Sequence, residues 1–185
     1  MRVLQSGGFQ NNPFMRLTLA LTLLLLAGFT VTNFLLYFSK MDLSPGSVVS
    51  YYNGSEEEFR QPRSYQSMLE VTHSHLAVMA LVVLLLTHLL IFAPYSSRGK
   101  IAFISVAFLS ALFSEASSWL VRFVHPDFAW LKVLSFLALQ LSLVFLLFSL
   151  GMFLWKSASR QRVMQKVLLE AETEEELAEE EAHLP

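Results

Sequence analysis

Four long apolar runs restrict this chain to very few folds. A helix needs roughly 20 apolar residues to cross the hydrocarbon core of a bilayer. Runs of that order occupy residues 17–38 ("LTLALTLLLLAGFTVTNFLLYF"), about 68–92, 101–121 and about 128–155. Lipid offers no partner to an open backbone N–H or C=O, so spanning segments are helices or closed barrels. Nothing here shows the short alternating segments of a barrel. The expected fold is therefore all-α, a polytopic membrane protein with a four-helix transmembrane bundle. Composition agrees, with 54% hydrophobic and 15% charged residues, against about 25% charged in soluble domains.

Charge falls in islands before residue 17, between 39 and 70, near 98–100 and after 155. These islands divide the chain into an N-terminal segment (1–16), a membrane domain (17–155) with a long outer loop (39–67), and a tail (156–185) that is helical and then acidic. Run one follows Arg2 and Arg16, as a signal peptide would. Its apolar core is too long for one, and "FSKMDLSPG" is a poor cleavage site, so a retained span is expected. Lys and Arg set orientation. With four crossings, Arg2 and Arg16, then Arg98 and Lys100, then Lys156, Arg160, Arg162 and Lys166 fall on one side. Both termini should then be cytoplasmic, in the inner (plasma) membrane of a bacterium. A net charge of −2 suggests no nucleic-acid partner. The lack of Cys excludes disulfides, thiolate metal sites and iron–sulfur clusters.

In the outer loop, Ser-Pro-Gly and Asn-Gly are turn signals. Tyr51, Tyr52, Phe59 and Tyr65 suit the membrane interface, and Ser64 after Pro62 suits the N-cap of span two. The end of the tail, "ETEEELAEEEAHLP", reads as a frayed, solvated acidic stretch.

Span two, "LEVTHSHLAVMALVVLLLTHLLIF", carries His73, His75 and His88. Ionisable groups in such a run are costly and need a reason. On a helix, His73 and His88 fall on nearly one face about 22 Å apart along the axis, while His75 points away. Two histidines on one face, one near each surface, make this span resemble the helices of membrane b-type cytochromes that hold two stacked haems. The resemblance covers span two alone and implies a haem or a redox partner. Two bis-histidine haems would need a second pair of intramembrane histidines, and the other spans contain none. The stretch "LEVTHSHL" also resembles uncharacterised bacterial four-helix inner-membrane proteins.

His125, in "RFVHPDF", falls at the depth of His73 and His75. A His–His pair there would ligate one haem b, and His88 with Met152 is a second ligand pair. Glu70 lies one turn before His73, so Glu70, His73 and His125 make a 2-His-1-carboxylate set for a divalent metal. Against these stands the plain alternative, in which each imidazole bonds a backbone carbonyl or hydroxyl on a neighbouring helix. Span three brings "SEASSWLVRF", with Glu115 well inside the membrane and Arg122 two turns on. The expectation is one outer-leaflet polar region holding Glu70, His73, His75, Glu115, Arg122 and His125. Gln140 is expected to make an interhelical bond.

No nucleophile–base pair, phosphate loop or H-E-x-x-H motif is present, so independent catalysis is not expected. Three functions follow. The first is a respiratory or electron-transfer accessory subunit with a His-lined site for haem b or quinone. The second is a non-redox structural or assembly subunit. The third is a copper- or zinc-handling protein. Partners would be the lipid bilayer, and other membrane subunits or further copies of the chain.

Overall fold

In a computed structural model of the protein, residues 13–91, Ala93 and residues 95–182 are described. Outside them lie Arg2 and most of the expected N-terminal segment, Phe92 at the end of the second expected span, Pro94, and residues 183–185 with His183. The elements in order are α1 (Pro13–Phe38), α2 (Pro45–Asn53), α3 (Tyr65–Leu90), α4 (Ser97–Phe123), a 3-10 turn (Pro126–Phe128) and α5 (Ala129–Ala182). No strand occurs among the described residues; Ser55 and Arg60 form an isolated bridge. Among the described residues, four segments are long and apolar enough to cross a membrane: Pro13–Phe38, Tyr65–Leu90, Ser97–Phe123 and Pro126–Lys156. The fold is an all-α polytopic membrane protein.

The chain divides into two compact units, 23–150 and a smaller one whose described residues are 13–22 and 151–182. In the larger unit an apolar core joins Leu26 of α1, Val83, Leu86 and Leu90 of α3, Ala107 of α4, and Leu143 and Leu146 of α5. The fourth span is the most buried: 56% of its most apolar stretch is buried, against 11% for α1. Leu24, Leu25, Val31 and Leu35 of α1 are exposed. Apolar surface of this extent belongs against acyl chains. In the smaller unit, Pro13, Arg16, Leu17 and Ala20 border a groove with Leu154 and Trp155. α5 continues through the acidic stretch to Ala182, where a frayed end was expected. Glu, Ala and Leu are strong helix formers, and that propensity accounts for the difference.

The outer loop is partly helical. Ser44 caps α2, accepting from Ser47 N–H at 3.2 Å, and Pro45 occupies the first helical position; both are favoured there. Bonds from Ser44 hold the Asp42 carboxyl below its usual range. At the other end Gly54 has φ +87°. A Cβ there would lie 2.7 Å from the Arg60 carbonyl oxygen, so the return of the loop requires glycine. Ser64 caps α3 through Ser67 N–H, as its position after Pro62 suggests.

Candidate functional site

Beside Tyr51 and Tyr52 of α2 the larger unit holds a partly open cavity of about 100 Å³. At about 10–15 Å³ per water this is room for roughly seven to ten waters. Its polar wall is His75 from α3, Ser114, Glu115 and Ser118 from α4, and Lys132 from α5. Leu36, Met68, Met79 and Leu139 supply apolar wall, and Tyr37 stacks on Phe136 with centroids 3.6 Å apart.

His75 Nδ1 and Glu115 Oε1 are hydrogen-bonded at 3.0 Å. The bond occupies Nδ1 and leaves Nε2 as the other polar end of the ring. Glu115 is the deeper partner, with its side chain 12% exposed against 41% for His75. Lys132 is buried and donates to the Ser114 carbonyl at 2.7 Å and to Ser114 Oγ at 3.3 Å. Lys132 also forms part of the cavity wall.

The roof comes from the outer loop. Tyr52 O–H donates to Ser118 Oγ at 2.9 Å, because Ser118 itself donates to the Ser114 carbonyl at 3.3 Å. Burial pushes the Tyr52 phenol well above its ordinary value. Asn53 Nδ2 donates to the Val121 carbonyl at 3.2 Å. Arg122 Nε donates to the Arg63 carbonyl at 2.9 Å, and the Arg63 guanidinium lies 4.3 Å from the Tyr51 ring centroid. Lys40 and Arg63 also line the cavity, so its wall carries cationic side chains on the side of the outer loop.

The structure brings together two of the expected polar residues, His75 and Glu115. The others lie apart. Glu70 accepts from Gln66 Nε2 at 3.1 Å and is exposed. His73 and His88 are exposed on α3, and neither lines the cavity. His125 caps the 3-10 turn, with Nδ1 3.3 Å from Asp127 Oδ2. Arg122 ties the end of α4 to the loop, not to Glu115. Thus the single six-residue polar region does not form. Helix faces decide this: side chains two residues apart, such as His73 and His75, point to opposite sides. No group of three or more His, Asp or Glu able to hold a metal occurs among the described residues, so Glu70, His73 and His125 do not make one. A bis-histidine haem needs two imidazoles at one place, and of the four candidate histidines His75 alone is on the cavity wall.

Gln140 is buried with both amide atoms unbonded among the described residues, in place of the expected interhelical bond. Lys132 went unnoticed in the sequence, although a cation within "AWLKVLSFLALQL" is as costly as any histidine in span two. The roof was missed too, because Ser44-Pro45 was read as a turn rather than as a cap followed by a first helical residue.

No curated protein and no solved structure matches the chain. Residues 42–161 match Aq_1264_TM, a transmembrane helical domain. That stretch holds the roof and the cavity residues His75, Ser114, Glu115, Ser118 and Lys132, and by it the chain belongs to this family of transmembrane helical domains.

Proposed function

We propose that the protein is an accessory subunit of a membrane electron-transfer system that holds a quinone head in the cavity at His75 and Glu115. The observation that carries this reading is the 3.0 Å His75–Glu115 bond on the wall of a roofed cavity. A quinol hydroxyl placed at His75 Nε2 would give its proton to the ring. The Glu115 carboxylate would then stabilise the imidazolium through Nδ1–H, the logic by which buried carboxylates orient and support a basic histidine. Lys132, also on the cavity wall, would face a second ring oxygen. Electrons would pass to or from a partner subunit. By the distribution of Lys and Arg, the site lies toward the outer leaflet of a bacterial inner membrane, with both termini cytoplasmic.

A second reading, a non-redox assembly subunit, draws on the interhelical polar bonds. Trp119 Nε1–H donates to Thr72 Oγ1 at 2.9 Å, and with Tyr52–Ser118 and Lys132–Ser114 it satisfies polar groups within the protein.

The test is to purify the protein in mild detergent, extract and quantify bound quinone, and record absorbance before and after dithionite. Quinone near stoichiometry, lost in His75→Ala and reduced in Glu115→Gln, supports the proposal. Quinone-free protein that does not take up added quinone overturns it. A reduced α band would bring back haem, and stoichiometric zinc or copper the metal-handling function.

A further inference from the structure

The cavity has a side opening that its roof does not cover. Asn33 and Leu36 of α1 and His75 and Met79 of α3 line the cavity, and the same four residues line a groove of about 340 Å³ between the two helices. The remaining wall of the groove is Phe29, Thr32, Ser74 and Val78. Two of these carry hydroxyls, but both are turned to their own helices. Thr32 Oγ1 donates to the Phe29 carbonyl at 2.9 Å, and Ser74 Oγ donates to the Val71 carbonyl at 3.0 Å. What they present to the groove is mostly carbon, so the passage is polar at the His75 end and apolar beyond it.

We infer that the ligand is an amphiphile whose apolar chain leaves the cavity sideways between α1 and α3, and that it loads from the bilayer rather than from water. The inference rests on the quinone reading and adds the ligand class: a head carrying a long isoprenoid or alkyl chain, not a free ring. Three features support it. The outer loop is bonded down onto α4 by Tyr52–Ser118, Asn53–Val121 and Arg122–Arg63. His75 is the more exposed member of its pair, as the residue shared by cavity and groove should be. α1 is the least buried of the four spans, so parting it from α3 disturbs little core. Asn33 puts an amide, both donor and acceptor, at the junction where head meets chain.

The experiment uses the full chain in lipid nanodiscs and two probes: a benzoquinone head without a side chain, and the same head with a decyl chain carrying a diazirine. Irradiation followed by mass spectrometry should place the label on α1 and α3, at Phe29, Thr32 or Val78. Val78→Trp and Thr32→Trp fill the groove without touching the cavity wall. Each should weaken the decyl probe by about tenfold and leave the bare head unchanged. Labels confined to α4 or α5, or groove variants that bind the decyl probe as tightly as wild type does, overturn the lateral route. If wild type binds neither probe, the quinone reading itself fails; if it binds both and only the labels fall elsewhere, that reading stands and the side opening does not.

Discussion

Lys132 Nζ donates to the backbone carbonyl of Ser114 at 2.7 Å, joining α5 to α4 in the wall of the cavity. The same carbonyl accepts from Ser117 Oγ at 3.0 Å and Ser118 Oγ at 3.3 Å. Replacing a buried ion by an apolar side chain of like volume is often neutral or stabilising. Lys132→Met should therefore keep stability within about 1 kcal/mol of wild type, and Lys132→Ala should lose about 2–3 kcal/mol through the space left by the stem. Thermal unfolding in detergent, followed by circular dichroism, measures both. Equal losses would mean that the charge, not the packing, joins the helices.

Tyr52 gives the roof an alkaline limit. Its phenol keeps its proton in the folded protein beyond the ordinary value of 10.0, because burial penalises the charged form. The unfolded chain releases that proton first, so stability falls as pH rises above about 10. Tyr52→Phe has no proton to release. At neutral pH wild type should exceed Tyr52→Phe by about 1 kcal/mol, the worth of the bond to Ser118. The difference should shrink between pH 10 and about 11, as melting temperatures of the two proteins across that range would show.

Gly54 is the hinge on which the loop returns to Arg60. Gly54→Ala puts a methyl 2.7 Å from the Arg60 carbonyl oxygen at φ +87°. A cost of about 1–3 kcal/mol is expected, confined to the loop. Limited proteolysis should cut the 54–63 segment faster in Gly54→Ala, with the helices intact.

Gln140 makes the opposite prediction. A buried amide without partners loses its solvation and gains nothing back. Gln140→Leu should raise stability by about 1 kcal/mol or more, read from the same thermal melts. A drop would mean that the amide binds something within the bundle.

The four spans were legible because a bilayer demands an unbroken apolar stretch, and 17–38 or 101–121 can satisfy that demand in no other way. The site was half legible. Glu115 announced itself as a carboxyl inside a span, and His75 was in the candidate set, but nothing along the chain ranked it above His73 or His88. That ranking depends on which face of α3 meets α4, a property of helix packing. Lys132 was readable in principle from the rule already applied to the histidines. Tyr52, Arg63 and Lys40 were not, because their place over the cavity follows from α2 folding back onto α4 across a turn that only Gly54 permits.

If the proposed ligand binds at His75 and Glu115, the seam between α1 and α3 would make solubility a criterion of admission. A greasy molecule drifting in the leaflet would reach that seam without crossing the roof, and a dissolved sugar or ion would not.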